Sequence, residues 1–286
     1  MTFAEVNQEM GNSLIDKGCS PQGNDSYLYN PGGEYSSLIE VQFRNDTVVE
    51  MSTISGDFDY EGTVKAKDSI SDLTNNGFTE MGTYKYTIYN KTGDKEHINV
   101  MVDHPKRDSK VYGIQIFDRS LGELKKLLLP ENCSYTGDVN KYQGRLEAHY
   151  LNAYRAYHKC DLKCELMTIT NEGVAQTQSE YMEKCGSETS SDSQGRTWKT
   201  RFDDEYDLDG VGFTSRLEYN SLGSPDAFSA VTYAIATRGP VEGKRTFYDY
   251  SLGKHKDLID CDMNIECGFA AGYVVFDFYS FQQPAM

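Results

Sequence analysis

Apolar and polar residues alternate with period two through much of this chain, and turn-forming residues break the alternation at short intervals. Such a period places successive side chains on opposite faces of a strand, so it restricts the chain to sheets with at least one covered face. Residues 37–43 (SLIEVQF) and 47–53 (TVVEMST) flank Arg44, Asn45 and Asp46, which predicts a hairpin. A second is predicted where 84–89 (YKYTIY) and 97–102 (HINVMV) flank 90–94 (NKTGD). Three more pairs follow the same reading: 164–170 with 174–181, 197–206 with 211–219, and 228–237 with 244–250. Hairpins in sequence order imply an antiparallel meander. The expected fold is therefore all-β, a large barrel or a two-sheet half-open sandwich, with strand content at least about threefold that of helix.

Helix signals are few. Residues 120–130 (SLGELKKLLLP) combine a starting Ser, a Glu three residues on, helical apolar spacing and a closing Pro, and predict the one short helix. In 143–158, Leu146, Tyr150 and Tyr154 suit a helix, while the density of aromatic rings favours a strand, which is the reading taken. Residues 1–34, rich in Gly, Asn and Ser, read as an irregular N-terminal arm, and 35–286 as the β domain, with a subdivision allowed at the loop 186–195 (GSETSSDSQG). No repeat of 20 to 50 residues is visible, which counts against propellers and solenoids. At the level of architecture the layout is similar to a calycin-like barrel or to the half-open sandwich of lipid-carrying proteins, with no family motif matched.

Charge narrows the partners. Forty-four Asp and Glu against 28 Lys and Arg leave a net charge of -16, which repels phosphate backbones, so nucleic acid is not an expected partner. No apolar run reaches the roughly 18 residues of a membrane helix, and no membrane span is expected. The first thirty residues lack a basic start followed by an apolar core, so no signal peptide is read there. Seven cysteines and four glycosylation sequons, at Asn24, Asn45, Asn90 and Asn132, nevertheless favour an exported, disulfide-bonded glycoprotein numbered from a mature or recombinant start, with at least two disulfides.

The chemistry-bearing motifs are weak. Residues 205–210 (EYDLDG) resemble a calcium loop only superficially, because Glu205 stands at its first position and Arg216 where the bidentate glutamate belongs; an acidic hairpin turn is the better account. Cys160 and Cys164, and Cys261 and Cys267, are spaced too widely for zinc knuckles, so neither a metal nor a cofactor is expected. Of the five histidines, His149 and His158 are the candidate catalytic bases, because they lie among tyrosines that would tune an imidazole. Aromatic residues recur at near-alternate positions, which ordinary core packing mostly explains. The sharper expectation is a cavity for a small apolar or aromatic molecule, with Trp198, Phe202, Asp204, Tyr150 and Tyr154 as binding residues. On a strand, Trp198 and Phe202 would share a face with Asp204 at its polar mouth. The expected function is a secreted binding protein; the alternatives are a cofactor-independent oxidase or luciferase-like enzyme in the same cavity, or an adhesion or immune module without one.

Overall fold

The computed structural model of the chain describes residues 1–33, 35–81, 88–103, 109–127, 133–158, 173–206, 213–237 and 264–281. The expectation of an all-β barrel or half-open sandwich is corrected: helix makes up 34% and strand 35% of these residues, and neither sheet closes on itself. The short helix expected at 120–130 is present as α3 (Leu124–Leu127), but it is one of several.

In place of an irregular arm, the first 33 residues form α1 (Phe3–Met10), β1 (Leu14–Cys19) and β2 (Asp25–Tyr29). A capping box starts α1: Thr2 Oγ1 accepts from Glu5 N at 3.3 Å, while the Glu5 carboxylate accepts from Thr2 N at 2.7 Å. The hairpin expected at Asn45 and Asp46 is there, joining β3 (Ile39–Arg44) to β4 (Thr47–Ile54). Both turn residues are left-handed, with φ of 51° and 61°, a conformation Asn and Asp tolerate. Then come the short β5 (Asp59–Tyr60) and β6 (Val64–Lys65), α2 (Ile70–Asn75), β7 (Thr79–Glu80), β8 (Ile88–Thr92), β9 (Glu96–Val102) and β10 (Val111–Asp118). The expected second hairpin is β8 with β9, within the described part of that segment. Eight strands form one antiparallel sheet in the order β1-β2-β3-β4-β10-β9-β8-β7.

The second half of the chain departs from the meander. Segment 143–158 lies in α4 (Gly137–Tyr157) instead of a strand, 174–181 in α5 (Val174–Cys185), 197–206 in α6 (Trp198–Tyr206), and 228–237 in α7 (Ala227–Thr237). Their apolar residues read better at period 3.6: Tyr142, Leu146, Tyr150 and Tyr154 on α4, and Ala227, Val231, Ala234 and Ile235 on α7. The strand partners expected at 164–170 and 244–250 lie outside the described residues. Three strands remain, β11 (Phe213–Leu222), β12 (Asn264–Ala270) and β13 (Tyr273–Phe281), in the order β11-β13-β12.

The halves stack in five layers. One face of the eight-stranded sheet packs on α1 and α2, and the other on α4. The three-stranded sheet lies between α4 with α7 and α5 with α6. A single apolar cluster runs from Leu28, Ile54 and Met101 through Leu146 and Val231 to Phe276 and Phe278, so α4 and α7 belong to the cores of both halves. Close approach also fixes β12: a Cβ on Gly268 would overlap the Ala175 backbone of α5.

Among the described residues no disulfide joins Cys19, Cys133, Cys185 and Cys267; Cys160, Cys164 and Cys261 lie outside them. The Asn24 sequon is buried, with Nδ2 donating to Gln42 Oε1 at 3.1 Å, whereas Asn45 stands exposed at its turn. No described helix is long and apolar enough to cross a membrane.

Candidate functional site

Where β1 meets α4, the seam between the halves opens as a cleft of about 250 Å³. Strand β1 lies at the edge of its sheet and contributes Lys17, Gly18 and Cys19, while the helical spacing of Asp138, Lys141, Tyr142 and Arg145 brings one face of α4 to the same place. Thr136 starts that helix, its Oγ1 accepting from Val139 N at 3.3 Å. Arg145 is held rigidly: Nε and Nη2 donate to the two Asp16 oxygens at 2.8 and 3.1 Å, and its guanidinium lies 5.5 Å from the Tyr142 ring centre. Lys17 and Lys141 form no ion pair among the described residues. Burial, with Asp25 nearby, pushes the Cys19 thiol up, so it is not an activated thiolate. Behind the cleft, His149 accepts or donates at 3.2 Å with the Tyr35 hydroxyl, and burial lowers its pKa to about 4, which leaves a neutral imidazole.

The residues singled out from sequence fall into two groups on opposite sides of the three-stranded sheet. His149, Tyr150, Tyr154 and His158 follow one another along α4. The Tyr150 hydroxyl donates to Glu40 Oε2 at 2.6 Å, the Tyr154 hydroxyl donates to Asp103 Oδ1 at 2.8 Å, and His158 Nε2 lies 3.0 Å from Asp103 Oδ2. Trp198, Phe202 and Asp204 are on α6. The first two rings meet edge to face at 5.6 Å, one helical turn apart, with Phe202 wholly buried. A helix turns about 100° per residue, so Asp204 falls well round the axis from Trp198. Its carboxylate pairs with Arg196 at 2.8 Å and is 53% exposed. Lys17, Lys141 and Arg145 were not legible as a group: the i, i+4 pair on α4 needs that segment read as a helix, and no local signal connects Lys17 to it.

A second polar feature lies in the C-terminal half, on the sheet face under α5 and α6. Glu218, Asp277 and Glu266 stand directly opposite one another on β11, β13 and β12, three buried carboxylates in one cross-strand row. The Arg201 guanidinium donates to Glu218 and, at 2.9 Å, to the Arg196 carbonyl. Asn220 Nδ2 donates to Glu218 Oε1 at 3.0 Å. Burial raises Asp277 well above the usual carboxylate range; Glu218 and Glu266 add to the shift and Arg201 opposes it. Burial likewise raises Glu218, against the pull of Arg201. Folding therefore favours the protonated form of Asp277 in the row.

No family model and no curated protein matches the sequence. Solved structures do match its fold. An extracellular protein containing an SCP domain from Bacillus anthracis str. Ames superposes with a TM-score of 0.71 at 12% identity, covering 97% of this chain and 92% of that one. A cysteine-rich secretory protein from Staphylococcus aureus subsp. aureus Mu50 superposes with a TM-score of 0.61 at 10% identity, covering 97% and 90%. Over nearly its whole length the chain therefore shares the fold of these two proteins.

Proposed function

We propose that this chain is an extracellular binding protein that recognises an anionic small molecule, a carboxylate or phosphate ester, in the cleft between β1 and α4. One observation carries the reading: in a chain of net charge -16, Lys17 and Lys141 line the same concave seam without an ion-pair partner among the described residues, beside an Arg145 already fixed by Asp16. Two ammonium groups next to an anchored guanidinium suit an anion with more than one oxygen. Clefts between packed units are a common place for such sites. Binding is favoured over catalysis because the nearby thiol is raised and the nearby imidazole is neutral, so neither nucleophile nor acid is poised. The extracellular setting is supported by the end-to-end likeness to an extracellular and a secretory protein, together with seven cysteines and the exposed Asn45 sequon.

The test is calorimetric titration with a panel of dicarboxylates and phosphate monoesters. At least one should bind saturably, and the Lys17→Glu/Lys141→Glu double variant should bind it at least about tenfold more weakly, some 1.4 kcal/mol, with an unchanged ligand-free melting temperature. A panel without saturable binding, or equal affinity in the variant, would remove this reading.

A further inference from the structure

The face of the eight-stranded sheet that meets α4 is polar at its centre. Register places Glu40, Ser52, Gln115 and Asn99 in one row across β3, β4, β10 and β9, with Gln42 and Glu50 in the row beside it. The loop ahead of α7 brings Asp226 against them from the other half. Glu40, Glu50 and Asp226 are all buried, and no lysine, arginine or histidine pairs with any of them among the described residues. Glu40 is satisfied by Ser26 at 2.6 Å, Gln42 at 3.2 Å and Tyr150 at 2.6 Å. Its neighbours are not. Glu50 Oε1 accepts from Gln115 Nε2 at 2.9 Å, Asp226 Oδ1 accepts from Ser229 N at 2.7 Å, and the Gln115 amide also lies beside the Asp226 carboxyl. The second oxygens of both carboxylates, Glu50 Oε2 and Asp226 Oδ2, have no partner, nor do Gln115 Oε1 and Asn99 Oδ1.

Every unmet atom in this chamber is a carboxyl or carboxamide oxygen. Buried acceptors without donors are rare in native proteins and call for an unseen donor or cation. Two carboxylates and two carboxamide oxygens are hard ligands that match a divalent cation in charge, and calcium accepts such a mixed, flexible oxygen set with waters completing the shell. We propose that Glu50, Asp226, Gln115 and Asn99 form a calcium site buried in the seam, which ties the N-terminal sheet to the C-terminal layers. The site is independent of the anion cleft, with which it shares no residue.

The test is the calcium content of the whole chain, expressed in calcium-containing medium and desalted, measured by plasma mass spectrometry alongside its melting temperature before and after refolding in chelator. Wild-type protein should hold one equivalent of calcium and lose thermal stability on refolding without it. Glu50→Gln keeps the shape and removes one charged ligand; it should lose the calcium and the calcium dependence of melting together. Asp226→Asn should do the same, and because Asp226 also caps α7, Glu50→Gln decides the matter if that variant fails to fold. Calcium retained in Glu50→Gln, or wild-type protein that contains none, would overturn the site. Zinc in place of calcium would overturn it too.

Discussion

Asp277 shows what a single side chain can do to the behaviour of the protein. A carboxyl whose pKa is raised by folding holds its proton in the native state where the unfolded chain would release it. Its contribution to stability is therefore complete below the ordinary carboxylate pKa of about 4 and is lost as the pH rises from there toward the folded value. Asp277→Asn should flatten that decline, and urea denaturation should find the variant more stable than wild type at pH 8 but not at pH 4. The reverse order would mean that Asp277 is ionised and paired. Sequence reading missed this residue for a specific reason. Aromatic residues at near-alternate positions dominate that stretch of sequence, and the acidic row exists only once the register of β11, β13 and β12 is known. The parity argument at Trp198 failed differently, since placing Asp204 on the Trp198 face requires a strand and the segment is α6.

At the scale of elements, legibility follows where each hairpin signal came from. The turn at Asn45 and Asp46 carries its own backbone requirement, so β3 and β4 could be read directly. The readings of α5, α6 and α7 rested on alternation over eight to ten residues, too short to separate period 2 from period 3.6 when small and polar residues are mixed with apolar ones. The competing signals were present: Asp226 ahead of Ala227 caps α7, and Thr136 caps α4. For α4 the aromatic density that argued for a strand has a tertiary cause, because its tyrosines reach from a helix to the sheet acceptors Glu40 and Asp103. Thr136→Ala should cost about 1 kcal/mol in chemical denaturation, the usual worth of an N-cap, whereas Thr136→Ser should cost little. An unaffected Thr136→Ala would mean that packing alone holds the first turn.

For the whole molecule, the shared layer of α4 and α7 predicts cooperativity. A single apolar cluster includes residues of both sheets, so neither half can lose α4 and keep its core. Trp198, the only tryptophan, reports on the C-terminal layers, while far-ultraviolet circular dichroism reports on both halves. The two melting curves should coincide, and a fluorescence change preceding the loss of sheet signal would show that the halves unfold separately. The polar seam also bears on how the chain is made. Because α4 begins at Gly137, all eight strands of the first sheet leave the ribosome before the helix that covers them exists. During that interval the face around Glu40, Gln42, Glu50, Ser52, Asn99 and Gln115 stands in water, where carboxylates ionise and amides hydrate freely. An apolar face of the same extent would invite the nascent chains of one polysome to stick to each other. This one keeps the unfinished half soluble until its cover is synthesised, and it leaves bulk water only when that cover closes.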